Sequence, residues 1–268
     1  MKTTEFDKSW NDWVDHNVAR QCDKKEIFQI LLDNNFDYNL IKKKLKIDYT
    51  EKKPSLHKNP KRKCSIPSNA KKVDTDLVEI FTIDNFLSKE QCEHLISLSK
   101  KYLQASKITT QDTEPDKKFR TSLTAHLNNL KSNSEKKFMD SINQLICDTI
   151  NIPNEFSESI QVQNYQVGKE FKIHTDYFTP HTREYNMHCQ TQGNRTWTFM
   201  VYLDTVEEGG ATFMSKLDKR FYPKQGMALF WNNLNKDGSV NTFTFHAGEP
   251  PLKGEKNIIT KWFREYSN

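Results

Sequence analysis

A histidine and an aspartate separated by one residue, His174 and Asp176, lie in the segment FKIHTDYF. In an extended strand alternate side chains point to the same face, so both can approach one cation. His246, in the later segment TFTFHAGEP, is the natural candidate for a third ligand. Two imidazoles and one carboxylate leave coordination positions open, which suits an Fe(II) that must bind a bidentate cosubstrate and oxygen. The alternative is that these are ordinary histidines, because an isolated His-x-Asp is common by chance.

A lysine follows in the segment GEKNIITKWF, where Lys256 lies ten residues after His246. Burying a lysine in an apolar barrel is costly unless its ammonium group meets an anion. A dicarboxylate that chelates iron at one end would present its other carboxylate to such a lysine. The alternative is a lysine at a strand end whose ammonium group reaches solvent.

The elements that must position these residues are predicted to be mainly strands. Upstream, Ser88 followed by Gln91 has the pattern of a capping box at a helix start, and residues 138–150 carry apolar residues at helical spacing. After Pro153, segments rich in aromatic and β-branched residues are bounded by Gly, Pro or Asn. The predicted strands are 78–83, 160–167, 196–203, 211–214, 227–231, 241–247 and 256–263. Helices followed by many short strands indicate a mainly β barrel or sandwich with supporting α-helices.

Two polar segments are predicted to be loops that close over a substrate, residues 106–118 and residues 177–193. Loops of this length inside a compact domain are usually lids or binding elements. The second loop contains His181 and His188. We expect both histidines to face solvent or substrate rather than a metal ion.

Composition divides the chain into three regions. Residues 1–49 contain apolar residues at helical spacing around Trp10 and Trp13, which predicts a small helical bundle that either binds a partner or simply packs. This bundle weakly resembles those of the ubiquitin-associated type. Residues 50–76 are rich in Pro and Lys and are predicted to be a basic linker, with contact to nucleic acid as the alternative for residues 58–63. Residues 77–268 are the predicted catalytic domain.

The whole-chain properties exclude several classes of protein. A net charge of +5 over 268 residues falls short of the dense basic stripe of a dedicated nucleic-acid binder. No apolar run approaches the roughly 20 residues that cross a bilayer, and the first residues lack the apolar core of a secretory signal. The five cysteines are scattered without a Cys-x-x-Cys pair, which favours free thiols over disulfides or a zinc site. We therefore expect a cytoplasmic protein.

Residues 78–266 resemble the catalytic domain of the collagen-type prolyl 4-hydroxylases, including their microbial and viral relatives. The segments that carry the resemblance occur in the same order as in the family: DNFLSKEQCEHLISLSK, FRTS, IQVQNYQVGKEFKIHTDYF, NRTWTFMVYLDTVEEGGATF, YPKQGMALFW and HAGEPPLKGEKNIITKWF. The resemblance implies a double-stranded β-helix, the jelly-roll or cupin-like core. It also favours the collagen-type branch through Lys256, because related hydroxylases and nucleic-acid demethylases generally have an arginine in that role.

The resemblance also implies roles for individual residues. Iron would be held by His174, Asp176 and His246, and the 5-carboxylate of 2-oxoglutarate by Lys256 with the hydroxyls of Tyr165 and Thr212. The residues matching positions that line the peptide-substrate groove are Arg195, Trp262 and Glu158. Phe171 stands where relatives often have tyrosine, so one hydroxyl on the substrate side is missing.

The implied reaction is the hydroxylation of proline in a peptide or protein, with O2 and 2-oxoglutarate consumed and succinate and CO2 formed. Ascorbate is the expected reductant for uncoupled turnovers. One alternative is an enzyme of the same fold acting on another amino acid, a small molecule or nucleic acid. The other is a non-catalytic barrel that binds peptides.

Overall fold

The structure is a computed structural model. It describes residues 3–20, 22, 24–34, 36–47, 64–106, 119–128 and 130–267. The chain divides into two compact units, the first comprising Met1–Asn59 with Phe178–Thr191 and the second Pro60–Tyr177 with Gln192–Asn268. Most of the predicted linker, the basic run 58–63 and most of the predicted loop 106–118 lie outside the described residues. Within the described part of the chain, no helix is both long enough and apolar enough to span a membrane.

The described residues contain six α-helices. They are α1 (Lys8–Ala19), α2 (Lys24–Asp33), α3 (Tyr38–Leu45), α4 (Lys89–Lys100), α5 (Asn133–Ile150) and α6 (Arg183–His188). In the first unit, α1 and α3 begin at aspartates, Asp7 and Asp37, whose side chains accept hydrogen bonds from backbone N–H groups of the first turn. Val14, Leu31 and Ile41 are fully buried in the core that these helices share. Three helices therefore occupy the region in which the sequence predicts a small helical bundle.

The described residues of the second unit form antiparallel strands in three sheets. The larger sheet has the order β1 (Lys71–Lys72), β2 (Ile80–Ile83), β11 (Ala228–Asn232), β7 (Arg195–Tyr202), β14 (Lys256–Arg264), β5 (Gln161–Tyr165), β4 (Leu123–His126) and β3 (Gln104–Ala105). The smaller sheet has the order β10 (Lys219–Phe221), β9 (Thr212–Met214), β12 (His246–Gly248) and β6 (Phe171–His174). A two-stranded ribbon pairs β13 (Pro251–Lys253) with β8 (Glu208–Gly209).

Helices α4 and α5 cover one face of the larger sheet. The predicted capping box starts α4, where Ser88 and Gln91 bond to each other's backbone N–H groups. Leu95 of α4 and Ile142 of α5 belong to one buried core with Phe199 of β7. Helix α5 begins at Asn133, before the predicted start at residue 138. The prediction started late because the first turn of the helix is polar and shows no apolar periodicity.

The other face of the larger sheet forms a second core together with the smaller sheet. Tyr165, Met200 and Tyr202 of the larger sheet pack in one buried cluster with Met214 of the smaller sheet. The mainly β core with supporting helices is as predicted. The space between the two sheets also contains the residues expected to do chemistry.

Three local predictions differ from the structure. The strand predicted over 241–247 starts only at His246, because the Asn241 side chain accepts a hydrogen bond from Phe243 N and begins a 3-10 turn. The loop predicted over 177–193 contains α6, whose first turn is capped by the Thr182 hydroxyl. The end of the predicted linker joins the larger sheet, since β1 pairs with β2.

Candidate active site

The two histidines of the predicted metal site face each other across two paired strands. His174 ends β6 and His246 begins β12, and the register of this antiparallel pair sets them directly opposite each other. Side chains in such a cross-strand pair are close neighbours on one face of the sheet. Asp176 follows His174 by two residues, and the possible ligand atoms of the three side chains all lie within 4.8 Å of one another. No other group of three potential ligand residues comes together in the described ranges.

Backbone carbonyls orient both imidazole rings toward a shared point. Nδ1 of His174 lies 2.8 Å from the carbonyl oxygen of Lys172, and Nδ1 of His246 lies 2.9 Å from that of Thr244. A carbonyl only accepts, so each Nδ1 carries a proton, and the lone pair of the neutral ring is then on Nε2, where a metal can bind. The Nε2 atoms of His174 and His246 lie 4.0 and 3.7 Å from the Asp176 carboxylate oxygens. Two imidazoles and one carboxylate on one side of a centre fit Fe(II).

A chain of hydrogen bonds holds the aspartate. The Thr198 hydroxyl donates to Asp176 Oδ2 at 2.7 Å, and Asn233 Nδ2 donates to that hydroxyl at 2.9 Å. Trp231 Nε1 donates in turn to Asn233 Oδ1 at 2.9 Å. All four side chains are buried, so each bond replaces solvation that the interior cannot supply. The sequence prediction missed Thr198 and Asn233, which no motif marks.

Electrostatics favour the ligand forms of these side chains. Burial lowers the pKa of His174 to about 3, reinforced by the neighbouring His246, so the ring is neutral at ordinary pH. Burial raises the pKa of Asp176, but His246, His174 and Arg195 outweigh it and keep the pKa below its usual value. The site therefore presents a neutral imidazole and an ionised carboxylate without rearrangement.

Lys256 lies in the same pocket at the first position of β14, opposite Tyr165 of β5. Only 1% of its surface is exposed, and burial lowers its pKa to about 7. Its Nζ donates to the carbonyl oxygens of Gly210 and Glu249 at 2.9 and 3.3 Å and lies 4.4 Å from the centre of the Tyr165 ring. The alternative left open by the sequence, a strand-end lysine whose ammonium group reaches solvent, is therefore wrong.

The two hydroxyls predicted to assist Lys256 also line this pocket. Tyr165 OH donates to Gln163 Oε1 at 2.8 Å, and the Thr212 hydroxyl accepts from Tyr202 OH at 2.7 Å. Both side chains are buried, at 2% and 4% exposure. The pocket thus joins three potential metal ligands to a cation and two hydroxyls.

Comparison with known proteins places this geometry in a family. Residues 160–264 match the model of the 2OG-Fe(II) oxygenase superfamily. Probable prolyl 4-hydroxylase 3 of Arabidopsis thaliana is 31% identical over 203 residues, covering 68% of either chain. Probable prolyl 4-hydroxylase 8 of the same plant is 33% identical over 204 residues, covering 68% of this chain and 67% of its own. The chain belongs to the prolyl 4-hydroxylase family of 2-oxoglutarate- and Fe(II)-dependent oxygenases.

A solved structure supports the fold assignment. The viral collagen prolyl hydroxylase of Paramecium bursaria Chlorella virus 1, in its 2-oxoglutarate complex, matches 69% of this chain and 95% of its own. The TM-score is 0.51 at 23% sequence identity, a likeness of fold. The fold is the double-stranded β-helix expected from the sequence, and the protein is a 2-oxoglutarate-dependent dioxygenase.

In this prolyl 4-hydroxylase-family protein, the three residues predicted to contact substrate lie together beside the pocket. Arg195 and Glu158 form a two-pronged ion pair, with Nε–Oε1 at 2.6 Å and Nη2–Oε2 at 2.7 Å. The guanidinium also lies 4.0 Å from the centre of a Trp262 ring and donates to the backbone oxygen of Asp176 at 3.4 Å. Burial raises the pKa of Glu158, but Arg195 and Arg264 outweigh it and lower the pKa overall. The sequence did not predict that Arg195 and Glu158 would be partners.

Trp262 itself lines the pocket that contains the metal cluster. Its indole Nε1 is buried and has no hydrogen-bond partner among the described residues. A buried donor left without an acceptor costs free energy, so this N–H is poised for an acceptor on a bound molecule.

Two further sets of residues bear on the site. His181 and His188 belong to the first compact unit, and the cluster of potential ligands consists of His174, Asp176 and His246. Arg120, in the FRTS segment, lies 4.7 Å from the centre of the Phe171 ring next to the site. Its segment was recognised in the sequence, but its position beside β6 was not predicted.

Proposed function

We propose that this protein hydroxylates proline residues in peptides or proteins, using Fe(II), 2-oxoglutarate and O2 and forming succinate and CO2. The observation that carries the proposal is one pocket lined by His174, Asp176, His246 and the buried Lys256. The substrate class is supported by the two Arabidopsis thaliana relatives described above, both named probable prolyl 4-hydroxylases and both more than 30% identical.

The metal would be held by Nε2 of His174 and His246 and by a carboxylate oxygen of Asp176. The carbonyls of Lys172 and Thr244 keep the two rings in the neutral ligand tautomer. Thr198 fixes the carboxylate through its hydroxyl. Bound Fe(II) with 2-oxoglutarate would supply the activation of O2 and the oxidising power that removes hydrogen from a C–H bond.

Lys256 would bind the 5-carboxylate of 2-oxoglutarate, with the hydroxyls of Tyr165 and Thr212 as additional donors. Among the described residues, the acceptors at hydrogen-bonding distance of its ammonium group are carbonyl oxygens, so a carboxylate offers it a stronger, charge-assisted bond. An anion also favours the protonated form and would raise the pKa of Lys256 from about 7.

The peptide would lie along Trp262 and Arg195. The indole Nε1 of Trp262 is available for a peptide carbonyl. Arg195 is held over that indole by Glu158, so its planar guanidinium forms a fixed wall beside the pocket. Phe171 offers the peptide an aromatic ring without the hydroxyl that relatives often have.

The experiment is succinate formation from 2-oxoglutarate in the presence of Fe(II) and ascorbate, with mass spectrometry of proline-containing peptides. We expect one oxygen added to proline, and loss of this product in His174→Ala and Lys256→Ala. Lys253→Ala is the matched control, because Lys253 is an exposed lysine that pairs with Glu207 outside the pocket.

Each result has a distinct meaning. Succinate without oxidised peptide would retain the dioxygenase and reject proline as its target. Absence of both products, with iron bound, would reject catalysis and favour a peptide-binding barrel. Full activity in Lys256→Ala would reject the role assigned to this lysine.

A further inference from the structure

The segment containing Arg120 lies alongside β6, the strand that ends at His174. The backbone N–H of Lys172 donates to the Phe119 carbonyl at 3.0 Å, and that of Thr121 donates to the Glu170 carbonyl at 2.9 Å. An isolated antiparallel bridge pairs Arg120 with Phe171. Strand β6 is thus bordered by β12 on one side and by residues 119–121 on the other.

Arg120, Phe171 and His174 form a stack of planar groups. The rings of Phe171 and His174 lie 3.5 Å apart between centroids and 16° from parallel. The guanidinium carbon of Arg120 lies 4.7 Å from the centroid of Phe171. Because the imidazole covers one face of the Phe171 ring, the guanidinium lies over the other.

Hydroxyl groups fix the guanidinium end of this stack. Arg120 Nε donates to the Ser122 hydroxyl and Nη2 to the Thr124 hydroxyl, each at 3.2 Å. The Ser106 hydroxyl bonds to both of these oxygens, at 2.9 and 2.6 Å. Three linked hydroxyls therefore hold the arginine in one orientation.

The two candidate histidine ligands differ in how their ring planes are held. His246 is 8% exposed at its side chain and meets Trp231 edge-on, with ring centroids 4.9 Å apart. His174 is 14% exposed and lies at the end of β6, the outermost strand of its sheet. Its ring is held at one edge by the Nδ1 bond to the Lys172 carbonyl and contacts the His246 ring, with centroids 4.2 Å apart. Phe171 is the group that stacks face to face on this ring, so it restrains the tilt of the imidazole plane.

We propose that Arg120 is a positioning residue that acts through Phe171 to fix the imidazole plane of His174 for metal binding. This inference rests on the proposed Fe(II) site. The cation over the Phe171 ring holds that ring by cation–π attraction, and the ring in turn packs against the imidazole. Residues that orient metal ligands from behind typically change metal affinity about 10- to 100-fold when mutated.

The test is a Co(II) titration of the full-length protein followed by visible absorption, which reports both affinity and ligand geometry. For Phe171→Leu we expect a Co(II) Kd about tenfold higher and an altered absorption spectrum. Arg120→Met should change both in the same direction, with a Kd about threefold higher, because the Phe171 ring remains. Phe171→Tyr keeps the ring and should bind Co(II) with the Kd of the unaltered protein.

The matched control is Ile173→Ala, since Ile173 lies between Phe171 and His174 on β6 and is 50% exposed. It should leave the Kd and the spectrum unchanged. If Phe171→Leu and Arg120→Met retain the Kd and spectrum of the unaltered protein, the positioning role is wrong. If Arg120→Met raises only the KM for peptide, Arg120 contacts substrate and the inference is again wrong.

The unaltered protein distinguishes this inference from the function proposed above. If it binds no Co(II), the metal site itself is rejected and the stack has no ligand to position. Circular dichroism identifies variants that do not fold. If Phe171→Leu is one of them, Arg120→Met decides the question by its spectrum and Kd.

Discussion

Strand β14 contains two buried lysines, on opposite faces of the larger sheet. Lys256 and Lys261 are each 1% exposed, and burial lowers the pKa of the first to about 7 and that of the second to about 8. Because they are five positions apart on a strand, they point to opposite faces. Lys256 faces the pocket with the metal cluster, and Lys261 faces α5.

The two ammonium groups differ in the number of hydrogen-bond acceptors around them. Lys261 Nζ donates to the side-chain oxygens of Asn143 and Asn154 at 2.5 and 3.1 Å and to the Glu158 carbonyl at 3.0 Å. Three acceptors satisfy the three hydrogens of an ammonium group. Lys256 Nζ donates to two carbonyl oxygens, which leaves one N–H of the ammonium group to donate to a molecule in the pocket. Burial of a lysine therefore does not by itself indicate a binding site. A buried lysine indicates one when an N–H of its ammonium group can still donate to a molecule bound in a pocket.

The largest expected effect is on the KM for 2-oxoglutarate, which should depend on Lys256 and not on Lys261. Lys256→Ala should raise the KM for 2-oxoglutarate about 100-fold, because a buried carboxylate loses its charged partner. Lys261→Ala should leave that KM within about twofold, since its ammonium group faces α5. Steady-state kinetics with varied 2-oxoglutarate measures both, and equal KM increases in the two variants would contradict the comparison.

A smaller effect is expected on the KM for peptide when Glu158 is changed. Glu158 contacts residues on both faces of the larger sheet. Its backbone carbonyl accepts from Lys261, and its carboxylate accepts from Arg195. Glu158→Gln weakens the hold on Arg195 and should raise the KM for peptide about tenfold with the 2-oxoglutarate KM unchanged. The opposite pattern, a change confined to 2-oxoglutarate, would show that Arg195 serves the cosubstrate.

Stability should respond in opposite directions at the two positions. Lys261→Met removes three hydrogen bonds and should lower the free energy of unfolding by about 2 kcal/mol. Lys256→Met removes an ammonium group that burial disfavours and should raise that free energy by about 1 kcal/mol in the absence of metal and cosubstrate. Urea unfolding of the metal-free variants at pH 7 measures this, and destabilisation by Lys256→Met would show that its hydrogen bonds outweigh desolvation.

The last prediction is a pH dependence of stability that belongs to Lys256. Its pKa falls from 10.5 to about 7 on folding, so between these values the unfolded chain binds more protons than the folded protein. The free energy of unfolding should therefore rise with pH in this window, by up to about 1 kcal/mol per pH unit from this residue. The measurement is the difference in slope between the unaltered protein and Lys256→Met over pH 7.5–9.5. Equal slopes would mean that Lys256 keeps its proton when buried.

Short sequence motifs named the candidate ligands, and the structure brings these three side chains together. The His-x-Asp spacing follows from the twofold alternation of a strand, and His246 was found because a third ligand had to come from a distant strand. Lys256, Tyr165 and Thr212 were assigned through the family resemblance, and all three line the pocket. The capping box at Ser88 was also predicted correctly, because its residues are neighbours in sequence.

Features that depend on distant contacts were not predictable in this way. The pair of Arg195 and Glu158 joins residues 37 positions apart, and no local pattern relates them. The sequence did not predict helix α6, because a helix of six residues is too short to show apolar residues at helical spacing. The chain from Trp231 through Asn233 and Thr198 to Asp176 depends on strand register.

The sequence by itself determined the candidate ligand residues, the lysine in their pocket, the mainly β core and the family. These properties reside in side-chain type and in spacing along one strand, where the backbone geometry is known in advance. The tertiary structure alone decided which histidine stacks on Phe171, which lysine of β14 faces the pocket, and which carboxylate holds Arg195. Such relations arise only when strands far apart in sequence are brought into register, because register sets which face and which partner each side chain meets.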